Sequence, residues 1–424
     1  MGNLTEKSSC VKQILIANNS GDSQYISKFW KSLLSERTNF PDEERLRNFL
    51  SNDASYGYGN ILEQNTHETF RRLVDTITPE TPMEFLSKFT DPAFGGAICH
   101  RYKGAHSSII FLQNIPTTYR IQKLPLKNGL RILEIGAGFG ALAYQLNQIL
   151  EIKKYTIVDI PHSLFLSYFY LSENTNRRCA FSSREKVENG FEFAKPDELD
   201  SIDSEFDLII NTISMGEMDI FMVERYKDLI KERLSEDGFF FSINTHGKAG
   251  IKKPSQYLID GMRLYSMEPW VRRAHNSFFN KLHYEIIQTK NKGEVITEET
   301  KKKVDYQGRL FIVGVRPPFD DSVASYETGI KYYAQGKIEK ARECLSEALN
   351  KGLKGFARTA SILILTVTDR KAFLKFFDKK KKERIIKEAP IFEREIESFL
   401  STPFSILKTR RMLQMWLKGE LSEG

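Results

Sequence analysis

Cysteine is scarce in this chain: Cys10, Cys99, Cys179 and Cys344 are its four, far apart and with no CxxC pair. That spacing argues against a zinc knuckle or a disulfide framework and suits a reducing cytoplasm. Long apolar runs are also missing. Stretches such as "SILILTV" (361–367) fall well short of the roughly 20 residues that span a bilayer. The opening "MGNLTEKSSC" is polar and has no apolar core of a secretion signal. It also departs from the myristoylation pattern, because Glu6 stands where Ser or Thr is wanted. A cytoplasmic location is expected. Strong charge of one sign is absent too, at a net +7 over 424 residues. Much of it is local, in "KNKGEVITEETKKK" (290–303) and "DKKKKERIIKE" (378–388). Such runs are solvated surface in the plain reading and a contact to anionic lipid, at a membrane periphery, or to nucleic acid in the sharper one. They make no clear phosphate-binding footprint, which disfavours nucleic acid as a partner.

What is present is an ordinary globular composition, 41% hydrophobic and 28% charged, in a chain long enough for two or three domains. Three regions are expected. Residues 1–125 read as helical, with apolar residues at three- and four-residue spacing in "ISKFWKSLL" and "THETFRRLVDTI". They end in a Gly-rich lid, "DPAFGGAICHRYKGAHSS" (91–108), which carries His100 and His106. Residues 126–318 alternate strands with helices. Residues 319–424 read as helical after the break "RPPFDD" (316–321). There, "ASYETGIKYYAQGKIEKARECLSEALNKG" (324–352) is either one tetratricopeptide-like unit or a plain helical hairpin. One such unit must pack on neighbouring helices, and this region is a candidate surface for a protein partner.

In the central region the strand candidates are residues 130–136, 154–160, 191–196, 206–213 and 238–245, with helices between them. Alternation of this kind gives a parallel sheet covered on both faces. Two further runs, 283–290 and 309–316, are joined only by a charged loop, so they are expected to pair antiparallel.

The first strand runs into "EIGAGFG" (134–140). Glycines here permit backbone conformations that a Cβ forbids, and let a ligand approach the main chain. Gly136, Gly138 and Ala141 satisfy the dinucleotide form G-x-G-x-x-A, and Asp159 stands where a ribose-binding acid is wanted. Glu134, two places before the first glycine, completes E-x-G-x-G-x-G. That motif resembles the first motif of class I S-adenosylmethionine-dependent methyltransferases. "TIVDIPHSLFLSYFYLS" (156–172), "FDLIINTISMGEMD" (206–219) and "GFFFSINTHGK" (238–248) further resemble a bacterial sugar O-methyltransferase subfamily over roughly residues 90–316. The resemblance implies an α/β fold with a Rossmann-like seven-stranded sheet, five parallel strands plus an antiparallel final pair. It implies S-adenosyl-L-methionine as cofactor and a sugar-containing acceptor.

By that resemblance, Glu134, Gly136, Gly138 and Gly140 belong to the cofactor's methionine end. Asp159 accepts from the ribose hydroxyls, Ile160 packs on adenine, and Asp197 meets the adenine amino group. Asn211 and Thr212 border the methyl. A helix N-cap is the alternative for Asp159. Asp207, at the start of its strand, reads as packing. A sugar hydroxyl needs a base or a metal to lose its proton. The base candidates are His246 and Glu217, although Glu217 also suits a helix cap. A divalent metal would need further oxygen ligands such as Asp219, and none is assigned. His100 and His106 are secondary acceptor-site candidates. The segment 247–280 is either an acceptor wall, with Trp270, Arg272 and Arg273 meeting the substrate, or a plain surface helix.

Overall fold

In the computed structural model the described residues are 4–16, 27, 31, 40–51, 66–78, 81–202, 204–244, 251, 253–270, 283–310, 325–326, 328–329, 332 and 337–351. The chain divides into two compact units, residues 1–276 with 283–301, and residues 277–282 with 302–424.

The first unit is built on a nine-stranded sheet. A separate hairpin precedes it, β1 (His100–Tyr102) and β2 (Ala105–Ser107). The sheet strands are β3 (Leu130–Ile135), β4 (Ile152–Val158), β5 (Cys179–Phe181), β6 (Gly190–Ala194), β7 (Phe206–Thr212), β8 (Leu234–Asn244), β9 (Arg263–Trp270), β10 (His283–Thr289) and β11 (Glu294–Val295). Their spatial order is 11-9-10-8-7-3-4-6-5. From β5 through β8 all neighbours are parallel. β10 runs antiparallel to both β8 and β9. Five parallel strands (6-4-3-7-8) followed by an antiparallel pair (10-9) is the arrangement the resemblance implies, with β5 and β11 as short added edges.

The membership of the final pair differs from the sequence expectation. The partner of β10 is β9, from within the segment read as an acceptor wall or surface helix. It is not 309–316: residues 309 and 310 end a helix, Glu298–Leu310, and 311–316 lie outside the described residues. The cause is visible in β9, "RLYSMEPW". It carries Arg, Glu and Pro and no clean alternation, so only pairing with β10 reveals it.

Central strands are buried on both faces, as parallel sheets require. All but one residue of β3 and all of β6 are buried. Helices α1 (Leu4–Ile16), α2 (Glu43–Arg47), α3 (His67–Ile77), α4 (Met83–Leu86), α5 (Ile109–Leu112), α6 (Ile115–Gln122), α7 (Ala141–Ile149), α8 (Pro161–Asn174) and α9 (Ile220–Arg233) also belong to this unit. Side chains start several of them: Thr66 Oγ1 accepts from Thr69 N at 3.1 Å and Asp42 Oδ1 from Arg45 N at 2.9 Å. Aromatic residues join the N-terminal region to the sheet layer. Phe49 meets Phe139 and Tyr170 edge-on, and Phe40 stacks on His162 at 4.8 Å. Such pairs each contribute about 0.5–1.5 kcal/mol beyond their buried area.

An ion triad, not foreseen in the sequence, braces the antiparallel side. Arg120 of α6 reaches Glu285 of β10 at 2.6 Å and Glu268 of β9 at 2.7 Å. In the second unit, Ala341, Leu345 and Ala348 line the buried face of helix Ile338–Asn350. Gly329 packs so closely on it that a Cβ would come within 2.6 Å of Leu345 Cγ.

Candidate functional site

The chain steps outward from β3 to β4 and β6, then returns to the other side of β3 as β7. The ends of β3, β4 and β7 therefore meet at a topological switch point, where open α/β sheets bind ligands. "GAGFG" leaves β3 there. Gly136, Gly138 and Gly140 take φ of +76°, +61° and +90°, which only glycine adopts without cost. Gly140 then starts α7 in the left-handed conformation.

Asp159 closes the turn from the β4 side. Its Oδ2 accepts from Gly138 N at 2.8 Å and its Oδ1 from Ile160 N at 2.7 Å. Burial pushes its pKa up to about 7, against the lowering effect of those N–H groups and of Ser163. These bonds tie Asp159 to the start of α8, whose N-cap residue is Ile160. Ile160 is half-buried beside it. Glu134 lies one layer below, 1% exposed, and accepts from Tyr155 OH at 2.7 Å. Burial, with a smaller contribution from the Asp159 charge, raises it also to about 7.

At the end of β6, Lys195 is buried with its ammonium 3.4 Å from Asp197 Oδ2. The other oxygen, Asp197 Oδ1, is buried with no hydrogen-bond partner. An acceptor left in that state wants a donor.

On the other side, β7 ends in a corner the sequence does not announce. Asn211 is fully buried, and both of its amide donors are spent inside the protein, on Ile135 O at 2.8 Å and Ser214 Oγ at 2.6 Å. Its Oδ1 accepts from Asn244 Nδ2 of β8 at 2.8 Å. Asn244 Oδ1 in turn accepts from Gly216 N at 3.3 Å. Asn211 is therefore placed as a brace beneath the edge. Ile213, next along, has φ +71°, a rare and costly conformation for a β-branched residue. It turns Ser214 over Gly136, where any Cβ would overlap the Ser214 hydroxyl. Ser214 Oγ donates to Ile135 O at 3.0 Å. Thr212 and Glu217 are half-buried on the same corner, with Glu217 ending a short 3-10 turn, Met215–Glu217. Asp219 is the residue before α9 and makes no side-chain cap.

The remaining candidates fall elsewhere. His246, Arg272 and Arg273 lie outside the described residues, and of Trp270 only the backbone is described, opposite His283. His100 packs on Phe70 and His67 of α3, and His106 pairs with Arg101 in the hairpin. Asp207 is bound at the opposite edge, its Oδ2 accepting from Arg131 N at 2.9 Å and its Oδ1 facing Lys127 at 2.7 Å. Among the described residues no group of three or more His, Cys, Asp or Glu side chains is placed to hold a metal ion. Asn244, Ile213 and Ser214 are the site residues that sequence reasoning missed. The one trace of Asn244 was a polar residue ending an apolar strand.

No protein-family profile and no curated protein matches this chain. Solved structures do. A ribosomal protein L11 methylase from Lactobacillus delbrueckii subsp. bulgaricus is 19% identical, over 42% of this chain and 80% of its own, with a TM-score of 0.29. TrmK from M. capricolum, in complex with S-adenosyl-homocysteine, is 11% identical over 61% and 96%, with a TM-score of 0.32. A TehB-like SAM-dependent methyltransferase from Corynebacterium glutamicum is 18% identical over 41% and 87%, with a TM-score of 0.29. These likenesses concern the fold.

Proposed function

We propose that this protein is an S-adenosylmethionine-dependent O-methyltransferase acting on a sugar hydroxyl of a surface glycan or its precursor. The observation that carries the cofactor reading is the bond from Gly138 N to Asp159 Oδ2 at 2.8 Å. A dinucleotide would bring its pyrophosphate to the amides of such a turn. Here a carboxylate already stands against the middle amide, which repels phosphate and accepts from hydroxyls. A nucleoside without phosphates fits that chemistry. The unpartnered Asp197 Oδ1 supplies an acceptor for an adenine amino group.

S-adenosylmethionine would supply a methyl already activated on a sulfonium. The chain's own work is then to position the acceptor and take its proton. Glu217, which ends the short turn after β7, is our candidate for that role, and His246 after β8 is its rival. The base would take the hydroxyl proton as the acceptor oxygen receives that methyl, the cofactor leaving as its thioether. The sugar rests on the sequence resemblance. A different small molecule, a protein or a nucleic acid as acceptor, and a non-catalytic scaffold, are the outcomes that would replace it.

Titration calorimetry with S-adenosylmethionine tests the reading; no binding at about millimolar ligand, some 4 kcal/mol of affinity, sinks it. Transfer of labelled methyl to a panel of nucleotide sugars and glycans then tests the acceptor. Turnover unchanged in His246→Ala and lost in Glu217→Gln assigns the base to Glu217.

A further inference from the structure

We propose that residues 40–50 are a clasp that holds the glycine turn and the start of α8 together, with Phe40 and Phe49 as positioning residues for the cofactor cleft. The clasp rests on the cofactor reading above. These residues lie N-terminal to the stretch that carries the sequence likeness, and no motif marks them.

Asp159 joins the two walls of the cleft from within. Its carboxylate accepts from Gly138 N of the turn and from Ile160 N at the start of α8, and the Ser163 side chain in the first turn of α8 bonds it as well. Residues 40–50 join the same two walls from behind. The Phe40 ring stacks on His162 at 4.8 Å, with 13° between the planes, and tilts against Phe165 at 4.8 Å. His162 stands between Pro161 and Ser163 in that first turn. At the other end of the clasp, the Phe49 ring meets Phe139 edge-on at 5.6 Å, and Phe139 stands between Gly138 and Gly140. The contacts close a circuit that runs from the turn through Asp159, α8, Phe40 and Phe49 back to the turn.

The stretch between the two rings is itself held firmly. Asp42 caps α2, and Leu46 of α2 is fully buried. Leu50 N donates to Gly95 O at 2.9 Å, and Gly95 N to Arg47 O at 3.0 Å. Gly96 lies so close to Asn48 that a Cβ would come within 2.6 Å of Asn48 Oδ1. Asn174, the last residue of α8, bonds both the N–H and the C=O of the adjoining Phe94 at 3.1 Å. The clasp and its support thus reach α8 at both ends.

A binding site keeps its geometry when packing behind it locks the groups that touch the ligand. Cutting either ring contact loosens one wall and leaves Asp159 and the glycines themselves unchanged. Changes of this kind act mostly on the rate at which a ligand leaves.

Dissociation of S-adenosylhomocysteine from the full chain, followed by surface plasmon resonance, tests the clasp. Phe40→Leu keeps an apolar side chain and loses the stack; it should speed dissociation about fivefold or more. Phe40→Tyr keeps the ring and should stay within about twofold of wild type. The matched control is Phe85→Leu in α4, whose ring packs on Phe89 and Tyr119 at 5.1 and 4.9 Å. It should lower the melting temperature as Phe40→Leu does and leave dissociation unchanged. Because one cut already opens the circuit, Phe49→Leu added to Phe40→Leu should speed dissociation by less than the product of the single effects. Unchanged dissociation in Phe40→Leu, an equal effect in Phe85→Leu, or fully multiplicative single effects overturn the clasp alone. Wild type that binds no S-adenosylhomocysteine overturns the cofactor reading with it.

Discussion

The two sides of the switch point are built by different means. On the β3–β4–β6 side, the turn is made by backbone: three left-handed glycines, and one carboxylate bonded to two N–H groups. On the β7–β8 side, the corner is made by side chains: two buried amides, one hydroxyl and one strained isoleucine, drawn from residues 211 to 244. Backbone requirements of the first kind are local and leave a short motif. Side-chain networks of the second kind are long-range and leave almost none. The two sides meet where Asn211 and Ser214 donate to Ile135 O and where Ser214 rests on Gly136.

Breaking that contact should give the largest effect. Gly136→Ala forces a side chain into φ +76° and against Ser214. The combined strain and overpacking are expected to cost about 2–5 kcal/mol. Cofactor affinity should fall about a hundredfold or more, read by denaturant melts and calorimetry. A variant that binds normally would show that the close approach is dispensable.

Asp159→Asn probes the backbone side alone. Losing a charged acceptor should weaken cofactor binding about tenfold to a hundredfold. The pH dependence follows from the raised pKa. Below about 7 the folded protein's Asp159 holds a proton, so wild-type affinity should fall as pH is lowered through 7, while the variant's stays flat. Stability runs the other way. Between the ordinary value of 3.8 and about 7 the folded state binds a proton that the unfolded chain has released. This group's contribution to stability is therefore present at low pH and lost as pH rises through 7. Thermal melts at pH 5.5 and 8, as order-of-magnitude brackets of that window, should show a wild-type difference that Asp159→Asn reduces.

Asn244→Ala probes the side-chain side. It leaves Gly216 N without its side-chain acceptor and Asn211 Oδ1 with only the longer bond from Met215 N, and should cost about 1–3 kcal/mol. Methyl transfer is expected to suffer more than cofactor binding, because the corner carries Glu217. Equal losses in both would merge the two sides into one unit. The smallest effect is expected from Ile213→Gly. Relief of the left-handed strain, about 1–2 kcal/mol, is partly offset by about 0.5–1 kcal/mol of extra chain entropy. A modest rise in melting temperature with reduced turnover would mark the strain as functional.

Five of the six parallel strands were legible because strands buried on both faces read as mostly apolar runs, such as "RILEI" and "GFFFSI"; three-residue β5 was too short to read. β9 was not legible, because charge and proline hide a strand that exists through its pairing. Arg120 with Glu285 and Glu268 was invisible for a related reason: the partners are 165 and 148 residues away.

By itself, the sequence determined the turn, the acid at the end of the second parallel strand, and the alternation that makes a doubly wound sheet. Each depends on backbone geometry within a few residues. Only the tertiary structure decided that Asn211 is a brace and that Ser214 lies on Gly136. Those outcomes depend on which distant groups the fold brings together, and hydrogen bonds between such groups leave no periodicity along the chain to read.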